Sequence, residues 1–265
     1  MASPARAFRA ESHARRVRQL RDQHARRLTV TLRRFFREQA ERVVRRYLHR
    51  YGLQAKGEAH DLLDDDETTR LARVLVAALG VSARDAMDLA AAFLAEEPLS
   101  ENERITALLS ASAQRVVGIN AYTRRMIQEA LVAGRAAGYT PYQIAYGVAK
   151  DGFRGLADVV AETYKGRAET IARTELGTVM NLAAVQRVER AGLTQVQLMD
   201  GPGCHLFTHT SGPLANGLVV SLAEAQRYPL SHINCRRVVL PYRPEWGGLG
   251  EAPTIVQVPQ IVRAA

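Results

Sequence analysis

A mainly α chain is expected, with a helical N-terminal arm and helical body and a small C-terminal α+β module. Three observations predict it. Apolar residues recur at helical spacing through the first 190 residues. The period switches to alternation after Gly192. Gly, Pro, Asn and Ser cluster at the points where elements should end. At 265 residues and 47% hydrophobic content the chain can bury a sizeable core.

The arm comes first. Leu28, Leu32, Phe35, Phe36, Val43 and Tyr47 fall on one helical face, which predicts a helix from about Glu11 to Arg50. Arg33, Arg34, Arg37, Arg42, Arg45 and Arg46 lie mostly off that face. Residues 1–50 hold fifteen arginines and four acidic residues, so the net charge of +9 belongs to the arm. The remaining chain is slightly acidic. Such an arm suits nucleic acid, an acidic protein face or an anionic surface, or it is a solvated face of a long helix. The richness in Arg and Ala also fits a GC-rich genome.

Gly52 to Gly57 interrupts the pattern, and "HDLLDDDETTR" then supplies acidic residues suited to a helix start. It lacks the alternating ligands and central glycine of a calcium loop. Ser82 with Asp85, and Ser100 with Glu103, have capping-box spacing and predict two further helix starts. Asn120 is expected to cap a helix carrying Ile127 and Leu131 that stops near Gly138. Thr140-Pro141-Tyr142-Gln143 has the cap, first-turn proline and third-position glutamine of another start. Short helices follow, one broken near Asp151-Gly152 and one over about Leu156–Tyr164. A longer helix spans about Arg167 to Arg190, with Ile171, Val179, Leu182 and Val188 inward and Gly192 as its stop.

After Gly192, "LTQVQLMD" alternates as a half-buried strand does. "DGPG" is a turn, and "ANGLVVS" offers an Asn-Gly turn before a second strand. Ser221 caps a short helix through Gln226, and "RRVVLPY" is a third strand. The linear division is residues 1–55 (arm), 56–118, 119–192 (helical body), 193–243 (α+β module) and 244–265 (an extended tail). No apolar run approaches the ~18–20 residues that span a bilayer, so no membrane partner is expected. The opening "MASPARAFRAESHARR" has no apolar core of a signal peptide. Two cysteines make no disulfide framework, and a reducing compartment is expected.

Chemistry concentrates in the module. Cys204 and His209, then His232 and Cys235, give C-x4-H and H-x2-C pairs that two adjacent strands can bring together. Zinc takes four such donors tetrahedrally, with His205 and Asp200 as substitutes. The alternatives are a buried cysteine with backbone-bonded histidines, or a Cys235–His232 nucleophile pair oriented by Asn234. "HIN" is only superficially similar to a nuclease motif, and no phosphate-binding loop, dinucleotide fingerprint or hydrolase elbow occurs. In "IARTE", Arg173, Thr174 and Glu175 precede Asn181 on the helix. A polar cluster on an apolar helix suits an internal network that fixes how modules dock, or else an active-site carboxylate at Glu175.

Three stretches occur in an order similar to that of phage minor head proteins. They are "VVGINAYTRRMIQEALVAGRAAGYTPYQIAYGV", "RAETIARTELGTVMNLAAVQRVERAG" and "VQLMDGPGC…ANG…YPLSHINCRR…LP". Over about residues 115–241 the chain resembles the Mu F-like and SPP1 head morphogenesis family, most of all its actinobacteriophage minor capsid members. The resemblance implies a non-enzymatic structural protein at the portal vertex inside the virion head, in the host cytoplasm during assembly, aiding packaging or delivery. It implies the portal protein as partner, with the major capsid or scaffolding protein as further partners, and the basic face of residues 1–50 is expected to touch packaged double-stranded DNA through phosphates without reading sequence. Arg173, Thr174, Glu175, Asn181 and Asp200 fall within its motifs. Relatives carry a CxxC after the aspartate and an HPxCRC near the end. Here His-Leu-Phe follows Cys204, Ile233 replaces the proline and Arg237 replaces the last cysteine, so four thiolates are impossible. The competing readings are an enzyme using Glu175, His232 or Cys235, with a toxin- or transferase-like activity, and a cellular DNA-binding protein built on the arm.

Overall fold

In a computed structural model the chain is mostly helical, with one small antiparallel sheet near its C-terminal end. The structure describes residues 4–51, 62–95, 103–200 and 217–243. The motif residues Cys204, His205 and His209, the "DGPG" turn beyond Asp200, Ser100 and the tail lie outside them.

The chain forms two compact units, and these cut across the linear division drawn from the sequence. One comprises residues 1–26, 77–112 and 170–264, the other residues 27–76 and 113–169. Three long helices, α1 (Pro4–Tyr51), α2 (Asp65–Leu94) and α3 (Glu103–Ala136), each contribute one end to each unit.

In the second unit the stripe predicted on α1 is buried: Leu28, Leu32, Phe36, Val43 and Tyr47 are at most 2% exposed. Its apolar face is therefore core of that unit, which is what a face of this width requires. The α2 start is capped as the acidic run predicts, with the Glu67 N–H donating to Asp64 Oδ1 at 3.1 Å. Two predicted starts do not occur. Ser82 lies inside α2, in the part that belongs to the first unit, fully buried, and its hydroxyl donates to the Ala78 carbonyl one turn back at 3.2 Å. Asn120 lies inside α3, where its amide donates to Thr68 Oγ1 at 2.9 Å. Both side chains have a partner on an adjacent turn or helix, so neither competes for a helix end.

The predicted capping box at Thr140 and Gln143 forms on both sides and starts α4 (Pro141–Tyr146). A 3-10 turn at Ala149–Asp151 follows, then α5 (Leu156–Lys165). Gly147 and Gly155 let two backbones touch. A Cβ on Gly155 would fall under 3.0 Å from backbone atoms of Ala145, Tyr146 and Gly147.

In the first unit, α6 (Arg167–Arg190) enters at Thr170 and is buried nearly all round. Leu182 is half-buried, while Ile171, Val179 and Val188 are core. The sheet has order β2-β1-β3, with β1 (Gln195–Met199) between β2 (Val219–Ser221) and β3 (Val238–Pro241). Val196 faces Val220, and Leu198 faces Val239. Ser221 caps α7 (Leu222–Arg227) with a complete capping box. Val185, Val188, Val196, Leu198, Val220, Ala225 and Val239 form one apolar cluster. The alternation in β1 suggested a wet polar face, but Gln197 is 2% exposed and donates to the Gly217 carbonyl at 3.2 Å. As the central strand, β1 has a partner on each edge, and its polar side chain bonds within the fold.

Candidate functional site

Two sets of polar residues stand out, one in each unit. The first surrounds "SHINCRR". The turn is tight: the Cys235 N–H donates to the His232 carbonyl at 3.2 Å, and Asn234 adopts a left-handed backbone (φ 63°) that asparagine tolerates. Thr174 fixes it from α6, its hydroxyl oxygen accepting the Asn234 N–H at 3.0 Å. Asn181, 2% exposed, uses its whole amide. It donates to the carbonyls of Pro229 (2.7 Å) and Arg237 (3.0 Å) and accepts from Val239 N–H at 3.2 Å. A helix side chain thus completes the backbone bonding of the segment that leads into β3.

Arg237 is buried and grips Asp200 with two bonds, Nε to Oδ1 at 2.8 Å and a terminal nitrogen to Oδ2 at 3.3 Å. This fork geometry is the strong form of an ion pair. Arg173 is half-buried and Glu175 is buried beside Thr174 on α6.

The N-terminal part of α1 closes the set. Arg21 donates to the Arg237 carbonyl at 3.1 Å, and Arg18 to the carbonyls of Met199 (3.0 Å) and Arg236 (3.3 Å). Asp22 accepts from Arg236 at 2.9 Å. Burial lowers the Arg21 guanidinium to about 10, against the upward pull of Asp22 and Cys235. Gly177 makes room for it, since a Cβ there would lie 3.1 Å from the Arg21 guanidinium. Sequence reading missed Arg18, Arg21 and Asp22. The signal was present: Arg21 sits on the small-residue stripe Ala10, Ala14, Val17, Ala25, Leu28, all buried. An arginine on a core stripe needs carbonyl or carboxylate partners.

Of the proposed zinc donors, Cys235 is 2% exposed, within electrostatic reach of Arg21, and His232 uses Nδ1 to donate to the Ile233 carbonyl at 2.7 Å. Nε2 would therefore be its ligand atom. Among the described residues no group of three or more His, Cys, Asp or Glu side chains is placed to hold a metal. Comparison of the chain with protein-family models, with curated proteins and with solved structures found no match.

The second set divides the six arginines singled out on the arm. Glu67 is fully buried and accepts from Arg42 twice (2.6 and 2.9 Å) and from Gln39 at 3.3 Å. Arg46 reaches Glu67 at 3.5 Å and Asp64 at 3.2 Å, and donates to the Leu62 carbonyl. The hydrogen bonds to Glu67 raise Arg42 above its ordinary value. Arg33, Arg34, Arg37 and Arg45 are exposed and make no ion pair among the described residues. Of the six, they are the cations available to a polyanion.

Proposed function

We propose that this chain is a phage minor head protein of the head morphogenesis type, acting at the portal vertex inside the head. Its partners are the portal protein and, through exposed arginines, packaged double-stranded DNA. The ordered succession of three motif stretches over about residues 115–241 carries the reading. Arg33, Arg34, Arg37 and Arg45, which make no ion pair among the described residues, support the DNA contact, because phosphate binding needs cations not already committed to carboxylates. A structural zinc on Cys204, His209, His232 and Cys235 belongs to the same proposal.

The test is co-expression of the full chain with the portal protein of the same genome, followed by co-purification. A stable complex is expected, and its absence overturns the portal assignment. For DNA, duplex binding should weaken steeply with salt and show no sequence preference. Arg33→Glu with Arg34→Glu should flatten the salt dependence by about two phosphate contacts. Salt-independent or sequence-specific binding would count against the DNA contact. Native mass spectrometry should find one zinc, and that zinc should be lost in Cys235→Ser.

A further inference from the structure

A row of residues along α1 in the second unit, mostly exposed and with Val44 buried at its edge, carries a further pattern. Val30, Arg34, Arg37, Glu41, Val44 and Leu48 are spaced four, three, four, three, four. That is the spacing of a helix-pairing seam, about 27 Å long at 1.5 Å per residue. Val30 is 60% exposed, an apolar side chain with no cover. Beside the seam runs an open cavity of about 840 Å3, lined on α1 by Ala40, Val44, Leu48 and flanking charges and on the other side by Tyr146, Ala157 and Ala161. The small residues leave room for another backbone to come close.

The charges say what fits. A polyanion suits the cavity poorly, because Arg37 and Arg45 are balanced by Glu41 and Asp158 on the same rim. The seam is instead a palindrome. Six positions lie symmetrically about residue 39, so an antiparallel second copy places Arg37 opposite the partner's Glu41 and Glu41 opposite the partner's Arg37. It also sets exposed Val30 on the partner's half-buried Leu48. Arg34, Arg37 and Glu41 make no ion pair among the described residues, so each is available. A self-complementary patch is what a two-fold interface requires.

We propose that this face of α1 and its cavity form an isologous interface with a second copy of this chain, α1 pairing antiparallel about residue 39. The inference is independent of the head-protein reading. It takes Arg34 and Arg37 from the arginines that a polyanion could use and leaves Arg33 and Arg45 on the flanks.

Sedimentation equilibrium of the full chain tests it. A monomer–dimer equilibrium is expected, weakened at least about tenfold by Glu41→Arg and likewise by Arg37→Glu, since each faces like charges at two symmetric contacts. The double variant, Arg37→Glu with Glu41→Arg, restores opposite charges and should restore dimerisation. That rescue excludes misfolding as the cause. Val30→Glu, at an exposed site, should also break the dimer. A chain that stays monomeric to about 100 μM, well above any useful dimer affinity, overturns the proposal and gives the groove to a different protein. A dimer indifferent to both single charge reversals overturns it too, as does failure of the double variant to recover.

Discussion

Replacing Arg237 with methionine removes the guanidinium that faces Asp200 while keeping much of the stem's volume. The Asp200 side chain is fully buried and that of Arg237 is 6% exposed, so water does not replace the lost bonds. Two charge-assisted bonds to the carboxylate go, along with a longer one to the Tyr228 carbonyl at 3.4 Å. Removing one partner of a buried ion pair costs about 3–5 kcal/mol, most of it from the charge left behind. For a chain of this size each kcal/mol is worth about 2–4 °C, so the melting temperature should fall by at least about 6 °C. Thermal unfolding followed by circular dichroism at pH 7 reads this directly. The second arm is Arg237→Met with Asp200→Leu. Matched apolar replacement of a buried pair is often neutral or better, so the double variant should recover most of the loss. A single-variant cost under about 1 kcal/mol, or a double variant no better than Arg237→Met, would refute the view that this pair is a desolvated, mutually dependent unit.

Three further outcomes follow from named contacts. His13 is held down to about 4, chiefly by burial and also by Arg16, and its ring lies 4.6 Å from that of Phe93. Below about pH 6.5 the unfolded chain takes up a proton that the folded chain refuses. Stability should therefore fall by roughly 1–3 kcal/mol between pH 6.5 and 4, and urea titrations of His13→Gln should lack that part of the slope. Gly155→Ala should cost about 2–4 kcal/mol by the same assay, because the new methyl meets backbone rather than movable side chains. Arg42→Ala should cost about 3 kcal/mol through buried Glu67, while exposed Arg45→Ala should stay within about 0.5 kcal/mol.

What the sequence made legible was periodic or local. The α1 stripe, the Thr140 and Ser221 capping boxes and the strand after Gly192 each depend on residues within a few turns of one another. Ser82 and Asn120 misled because capping spacing does not reveal whether a side chain already has a partner elsewhere. Ser82 bonds one turn back, and Asn120 bonds a residue 52 positions away. The same limit hid the α1 side of the "SHINCRR" network. Arg21 and Arg237 are 216 residues apart, and no pattern along the chain announces their meeting. Only the conflict of an arginine on an apolar stripe marks one end of it.

That conflict also changes how the charge of +9 is read. Arginine does two jobs in this protein, and its neighbours decide which. Arg18, Arg21 and Arg237 complete backbone carbonyls or a buried carboxylate, and Arg42 and Arg46 neutralise Glu67. Those guanidiniums are spent internally, and losing one should appear as lost stability rather than weaker binding. Between residues 27 and 51 the cations left without a carboxylate among the described residues are Arg27, Arg33, Arg34, Arg37, Arg45 and Arg50. A polyanion would feel this smaller set, offset by exposed Glu38 and Glu41 on the same helix. The salt dependence contributed by residues 27–51 should accordingly reflect about four phosphates, not the eight that the arginines of that stretch would suggest. A contribution near eight from this stretch would mean that Arg42 and Arg46 leave their partners on binding, and the fold around Glu67 would have to open with them.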